Sequence, residues 1–193
     1  MFKVLLETLK NRYFPLVREK YIIRKLNKYI KTKEKVLDIG CGNGKLSSKL
    51  KKKKNLKILG IDTKKTTNLI PFLKIDGKKM PFKNNEFDCA ILIDVLHHEN
   101  NIKKLLKEAS RVSRRVIIKD HFYKTEFQKV ILTLVDTVSN LKNIKTIKYN
   151  FLKIEEWKNL FKSLNLKIVE VDVSPMFKKF DIIKHVFFVV KKQ

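Results

Sequence analysis

Only two cysteines, Cys41 and Cys89, occur among the 193 residues, and both fall in apolar segments. A disulfide framework is therefore excluded, and a reducing compartment is expected. No apolar run approaches the roughly twenty residues needed to span a bilayer. The first nine residues carry Lys3 and Glu7 where a secretory leader would be unbroken and apolar, so a soluble, cytosolic protein is expected. Acids are few: 19 Asp and Glu stand against 45 Lys and Arg, for a formal charge of +26. Arginine is scarcer still, with six residues against thirty-nine lysines. Arginine is the side chain that forks onto phosphates and stacks on bases, so its scarcity argues against a dedicated nucleic-acid reader. The abundance of Lys, Asn and Ile is also what an AT-rich coding sequence produces. A field this positive nevertheless attracts polyanions, and acidic substrates, an anionic membrane surface at the periphery, and RNA stay open as partners in that order.

Glycine is the next shortage, and its distribution is informative. All five glycines, Gly40, Gly42, Gly44, Gly60 and Gly77, lie within residues 40–77, and three sit in Asp38-Ile39-Gly40-Cys41-Gly42-Asn43-Gly44. An apolar stretch, Lys35 to Ile39, leads in, and Lys45 to Leu50 leads out with helical spacing. A strand, a loop nearly without side chains and a helix start thus follow in order, a site for a nucleotide-like ligand. The dinucleotide fingerprint G-x-G-x-x-G requires glycine where Lys45 stands, which removes the hydride-transfer reading.

The pattern D-x-G-x-G-x-G resembles motif I of the class I S-adenosylmethionine-dependent methyltransferases. Three further blocks extend the likeness. Leu56 to Asp62 reads as a strand ending in a carboxylate twenty-two residues after Gly40, where a Rossmann-like fold places the acid that accepts from the ribose hydroxyls. Phe72 to Gly77 with Met80-Pro81-Phe82, and Glu86-Phe87-Asp88 through Leu96-His97-His98, are similar to blocks of the small quinone-biosynthesis-type methyltransferases. The resemblance implies a cofactor, S-adenosyl-L-methionine, held by Asp38, Gly40, Cys41, Gly42, Gly44, Asp62, Thr63, Asp76, Gly77, Asp94, Val95 and His98. Within that set Asp62 takes the ribose, Asp76 the adenine amino group, Gly77 offers a backbone amide to the ring, and residues near Asp94 line the open side. Cys41 is a small packing side chain in the loop, and His97 with His98 serves as helix start and pocket wall. No metal is expected.

The rest of the chain alternates strand and helix without repeat or low-complexity linker. Residues 2–31 have helical spacing broken by Pro15, so two short helices are expected, forming a lid over the pocket. Helices are expected over Asn101 to Val112, Phe122 to Leu141 (apolar positions Phe127, Val130, Ile131, Leu134, Val135 and Val138) and Ile154 to Leu164. Strands are expected over Arg115 to Asp120, Leu166 to Val173 and His185 to Val190. The expected fold is α/β: a Rossmann-like, doubly wound, seven-stranded sheet, mostly parallel with one antiparallel strand and helices on both faces. It forms one domain, with residues 1–31 as lid and 33–193 as core. His121, in Lys119-Asp120-His121 just past the fifth strand, is the candidate general base, with Asp120 or a neighbour orienting its imidazole. The expected activity is methyl transfer to oxygen or nitrogen of a small or lipid-linked acceptor. The alternatives are an RNA methyltransferase and a cofactor-binding protein without turnover.

Overall fold

The computed structural model of the protein describes residues 14–64, 67–76, 79–139, 149–173 and 183–193. Its strands are β1 (Lys35–Ile39), β2 (Lys57–Asp62), β3 (Phe72–Lys74), β4 (Cys89–Ile93), β5 (Val116–Phe122), β6 (Leu166–Asp172) and β7 (Lys184–Lys192). They form one seven-stranded sheet in the order β3-β2-β1-β4-β5-β7-β6. Neighbours from β3 to β5 pair in parallel, and β7 runs antiparallel to both β5 and β6. Among the described residues the helices are α1 (Phe14–Tyr29), α2 (Lys45–Lys54), α3 (Ile102–Val112), α4 (Glu126–Ser139) and α5 (Ile154–Ser163), and a 3₁₀ turn spans Leu96–His98.

The central strands are apolar on both sides, and the two-residue period of a strand divides their side chains between two cores. Leu37, Ala90, Leu92, Val116, Ile118, Val186 and Phe188 point to one face, where Leu106 and Ala109 of α3 and Trp157 and Phe161 of α5 cover them. Val36, Ile91, Ile117, Phe187 and Val189 point to the other, under Tyr21, Ile22 and Leu26 of α1, Ile30 just beyond it, and Leu50 of α2. Helices α1, α3 and α5 therefore owe their place to an apolar stripe rather than to intrinsic propensity; α2 reads KLSSKLKKKK and is held by Leu50 and Ser47, its two buried residues.

Two expectations change here. Pro15 lies in the first turn of α1, where a missing N–H breaks no helical bond, and the first of the two expected short helices falls outside the described residues. The described part of the expected lid is a wall of the sheet: Ile22 and Leu26 are fully buried in the second core, and the ion pair of Lys25 with Asp172 at 2.5 Å ties α1 to the edge strand. The remainder of that lid, residues 1–13, lies outside the described residues. The second change concerns α4. Its apolar positions Phe127, Val130, Leu134, Val135 and Val138 are exposed, and Leu132, among Tyr123 and Phe151, is its buried contact. Helical spacing located the helix but not the face that packs. The expected helical residues 140 and 141 lie outside the described residues.

Trp157 is 1 % exposed, with ring centroids 5.7 Å from both Phe161 and Phe188. Trp157→Ala should destabilise the protein by about 3–5 kcal/mol, the usual cost of emptying a large aromatic site. Urea unfolding followed by circular dichroism checks this, and a loss below about 1 kcal/mol would mean that α5 is not anchored through this ring.

Candidate cofactor site

In an open α/β sheet, ligands collect where the strand order reverses, because the loops leaving adjacent strands there diverge to opposite faces. Here the reversal falls between β1 and β4. A cavity of about 840 Å³ opens at that point, walled by the loops after β1, β2, β3 and β4 and by the first turns of α3. Its size lies in the ordinary range for small-molecule sites.

The glycine loop forms its floor. Gly40, Gly42 and Gly44 all have positive φ (70°, 50° and 68°), so the loop is a chain of left-handed turns that other residues adopt only with strain. Space separates their roles. A Cβ on Gly40 would come within 2.6 Å of Val95, so the missing side chain lets the β4 loop close over β1. One on Gly44 would meet Thr67 Oγ1 at 2.5 Å, whereas one on Gly42 would meet nothing within 4 Å. Gly42 is thus the bare backbone that faces the cavity.

Asp62 fixes the loop from the end of β2. Its Oδ2 accepts the Gly42 N–H at 3.2 Å and its Oδ1 accepts the Lys64 N–H at 3.2 Å, while the carboxylate borders the cavity. Each oxygen keeps a lone pair for a ligand hydroxyl. Ile39, Ile61, Ile75, Met80 and Leu105 supply apolar wall. The charged lining is Asp62, Asp76, Asp94, Glu99 and Glu108 against Lys64, Lys79 and Lys104; Asp94 is ion-paired with Arg18 and Lys119, and Glu108 with Arg111.

Of the residues expected to hold a cofactor, Gly40, Gly42, Asp62, Thr63, Asp76, Asp94, Val95 and His98 line the cavity. Gly77 lies outside the described residues. Asp38, Cys41 and Gly44 stand behind the lining. Asp38 points inward and accepts from Ser47 Oγ at 2.6 Å, joining β1 to the first turn of α2. Cys41 packs against Gly60, and burial pushes its thiol up to about 12, so it is no nucleophile at neutral pH. Glu99, Lys104 and Glu108 are lining residues that no sequence block marked; their signal was helical spacing after Asn101, whose side chain caps α3 by accepting from the Lys104 N–H at 2.9 Å.

Behind the Asp94 wall lies a buried ionic network that local sequence pattern did not reveal. Lys119, fully buried in β5, donates to Asp94 Oδ1 at 2.5 Å, and Arg18 of α1 reaches the other carboxylate oxygen. Burial opposes ionisation of Asp94, but Lys119 and Arg18 hold its carboxyl well below the usual range. Asp120 is also fully buried; its Oδ1 lies 2.5 Å from His97 Nδ1 and accepts the His121 N–H at 2.7 Å. The carboxylate expected to orient the His121 imidazole orients His97 instead, because alternation along β5 turns it away from the His121 ring. Burial lowers the basicity of His97, yet Asp120 outweighs it and brings the ring up to about 10. His121 does not line the cavity. Its Nδ1 stands 3.5 Å from Asp94, and burial together with Lys119 keeps the ring neutral, well below the ordinary histidine value.

The glycine loop, the cavity at the strand-order reversal and the Asp62 carboxylate after β2 together have the form of a site for a nucleotide-like ligand in an α/β fold. The comparisons agree. A family model described as "Methyltransferase domain" matches residues 37–116. The chain is 30% identical over 160 residues to the protein MJ1123 of Methanocaldococcus jannaschii, covering 75% of this chain and 70% of that one. MJ1252 of the same organism is 31% identical over 168 residues, 84% of this chain and 59% of that protein. A Schizosaccharomyces pombe tRNA (carboxymethyluridine(34)-5-O)-methyltransferase is 36% identical over 86 residues, 42% of this chain and 36% of the yeast protein. The chain thus spans between about a third and three fifths of the length of the latter two relatives. Among solved structures, Burkholderia thailandensis 1,6-didemethyltoxoflavin-N1-methyltransferase, with its substrate and S-adenosylhomocysteine bound, superposes with a TM-score of 0.71 at 12% identity, covering 99% of this chain and 86% of that one. A Methanosarcina mazei SAM-dependent methyltransferase gives 0.64 at 18% identity, covering 87% and 96%. Residues 37–116 thus match a methyltransferase domain, and the fold is shared with S-adenosylmethionine-dependent methyltransferases.

Asp38 yields a test of the inward geometry. Burial raises its pKa from 3.8 to about 6, partly offset by Ser47. The folded state therefore holds the proton more tightly than the unfolded state, so this group's contribution is fully present below pH 4 and is lost as pH rises through about 6. The difference corresponds to about 3 kcal/mol. Asp38→Asn keeps an acceptor for Ser47 and removes the titration. Its stability relative to wild type should rise by up to about 3 kcal/mol between pH 4 and 7 in urea melts, and a pH-independent difference would show that Asp38 is not buried as described.

Proposed function

We propose that the protein transfers a methyl group from S-adenosylmethionine to an oxygen or nitrogen of a small or lipid-linked acceptor. The observation that carries this reading is the bare Gly42 backbone, tied to Asp62, facing an acid-lined cavity at the strand-order reversal. When bound, the cofactor supplies a methyl group on a sulfonium, a good leaving group for in-line displacement. The residues' tasks follow from their places. Asp62 would accept from the ribose hydroxyls, and Asp76 would accept from the adenine amino group. Gly42 lets the backbone approach the amino-acid portion without a Cβ in the way, and the apolar wall excludes water from the base. The carboxylates of Asp62, Asp76 and Glu99 on the lining favour a ligand carrying positive charge over a pyrophosphate.

On this reading the rate enhancement comes from positioning, which can supply a large part of a barrier when the reacting atoms are held in line. His121 stands behind Asp94, outside the cavity lining, and a base is needed only where the acceptor must shed a proton. The family's quinone-biosynthesis branch remains a resemblance in the blocks from Asp76 to His98 and supports a small or lipid-linked acceptor. The structurally similar toxoflavin-pathway enzyme, whose bound acceptor is a small molecule, supports the same class.

The cofactor assignment is tested by calorimetry. Asp62→Ala should weaken S-adenosylmethionine binding by about 1.5–3 kcal/mol, as expected for hydrogen bonds to a charged group. Gly42→Val should abolish binding with near-native circular dichroism, because its side chain would enter the open cradle from a left-handed backbone. Unchanged affinity in both variants would remove the site.

A second reading, methylation of RNA, draws on the likeness to the yeast tRNA methyltransferase and on the charge of +26. Salt separates the two. Six to ten lysine–phosphate contacts would make RNA affinity fall by about 10³–10⁵ between 50 and 200 mM salt, whereas a small acceptor would show a shallow dependence. Steep salt loss with retained methyl transfer to purified RNA would overturn the small-acceptor reading.

A further inference from the structure

Three side chains beside the cofactor cavity converge on one point. His97 and His98 come from the 3₁₀ turn after β4, and Asp136 comes from α4, one turn before its end. Asp136 Oδ1 lies 3.8 Å from His97 Nε2, and its Oδ2 lies 3.5 Å from His98 Nε2. All three donor atoms fall within 4.8 Å of one another.

Four-coordinate zinc holds its ligand atoms at about 2.0–2.1 Å, which places neighbouring donors roughly 3.3–3.5 Å apart. The His98 Nε2–Asp136 Oδ2 spacing already matches this, while the 3.8 Å from His97 Nε2 to Asp136 Oδ1 and the spacing of up to 4.8 Å within the set would close by side-chain rotation. His97 is oriented from outside the cluster: its Nδ1–H faces the fully buried Asp120 carboxylate at 2.5 Å, which points Nε2 at the cluster, where an incoming ion would displace the Nε2 proton. A carboxylate behind a histidine in this way is the usual support of a metal-bound imidazole. His97 is 1 % exposed, and its Nε2 has no hydrogen-bond partner, a costly arrangement for a buried polar atom unless something else occupies that position. Phe151 stacks on the same ring at 5.0 Å, so the nitrogen is held in place rather than free to turn toward solvent.

We propose that His97 Nε2, His98 Nε2 and Asp136 bind a divalent transition-metal ion of the zinc type, with Asp120 as the supporting carboxylate. Two nitrogens and one carboxylate oxygen suit Zn²⁺ or Co²⁺ better than Mg²⁺ or Ca²⁺, which prefer all-oxygen sets. Three protein ligands leave a fourth position open. His98 also lines the cofactor cavity, so the ion stands at the edge of that cavity. The other nearby grouping, His97, Asp120 and His121, is not a second site, because Asp120 is already engaged by His97 Nδ1 and the His121 N–H. The proposal does not depend on methyl transfer, since ion binding is measured without cofactor or acceptor.

The test is a titration of the full chain, after exhaustive chelation, with Co²⁺ and then Zn²⁺. Co²⁺ should develop visible d–d bands that saturate at one equivalent, and Zn²⁺ should displace them. Asp136→Asn, a near-isosteric change at a partly exposed helix position, should weaken the Zn²⁺ affinity at least about 10-fold. Asp120→Asn should weaken it by about 10- to 100-fold, as removal of such a supporting partner does. His185→Gln, outside the cluster, should bind as wild type does. Urea melts of each variant establish that it is folded. Absence of a one-equivalent Co²⁺ spectrum would overturn the proposal, and so would equal affinity in folded Asp136→Asn.

Discussion

Lys119 has no exposed surface, and an ammonium so placed persists only if a carboxylate meets it. That carboxylate is Asp94, at the first position after β4, in a left-handed backbone conformation (φ 56°) that a non-glycine residue adopts at some cost. The pair fixes where the chain goes next. With Asp94 held toward β5, Val95 is carried over Gly40, and the following 3₁₀ turn brings His97 onto Asp120. Arg18 shares the same carboxylate and so attaches the N-terminal end of α1 to the wall of the cavity. Removing Asp94 would leave Lys119 buried and uncompensated, which commonly costs about 3–5 kcal/mol.

The opposite wall depends on economy of side chains rather than on charge. A Cβ at Gly40 would collide with Val95, so the approach of the β4 loop that the ion pair imposes is available only because that side chain is missing. Gly42 is bare for a different reason, since the space beside it is open. Asp62 connects the halves: it holds the Gly42 amide and still faces the cavity, so loop shape and ligand recognition rest on the same carboxylate. A structural and a binding role therefore coexist at Asp62, and the variant at this position tests both.

Strand and loop were legible in the sequence for the same physical reason. Strands buried on both faces read as continuous apolar runs, and a loop of left-handed turns needs glycine, so the Lys35 to Asp62 region announces its own geometry. The ionic layer was not legible. Lys119 and Asp120 follow Val116, Ile117 and Ile118 and resemble a strand leaving the core, whereas β5 continues to Phe122 because β7 pairs with it over its whole length. Partners for those charges come from residues 18, 94 and 97, and no local pattern carries that distance. Asp38 was read toward the ligand for want of the same information, namely that Ser47 waits on its inner side. In α4 the period of the helix was visible, but an apolar stripe does not state which surface will cover it; Phe127 and Leu134 remain exposed while Leu132 packs.

Charge distribution bears on the acceptor. The chain has few acids, yet Asp38 and Asp120 are buried, and five line the cavity with three lysines, Asp94 among them being answered by Arg18 and Lys119 and Glu108 by Arg111. The excess of lysine therefore lies elsewhere on the chain. A polyanion attracted by the net charge would meet the carboxylates of Asp62, Asp76 and Glu99 when it tried to bring a phosphate inside. A neutral or cationic acceptor would not, and neither would a lipid-linked molecule whose anionic portion stays outside against the lysines while its reactive end enters. On electrostatic grounds the cavity selects among the ligands that the net charge collects, and for RNA it would admit at most an extruded base, with the backbone held at the rim.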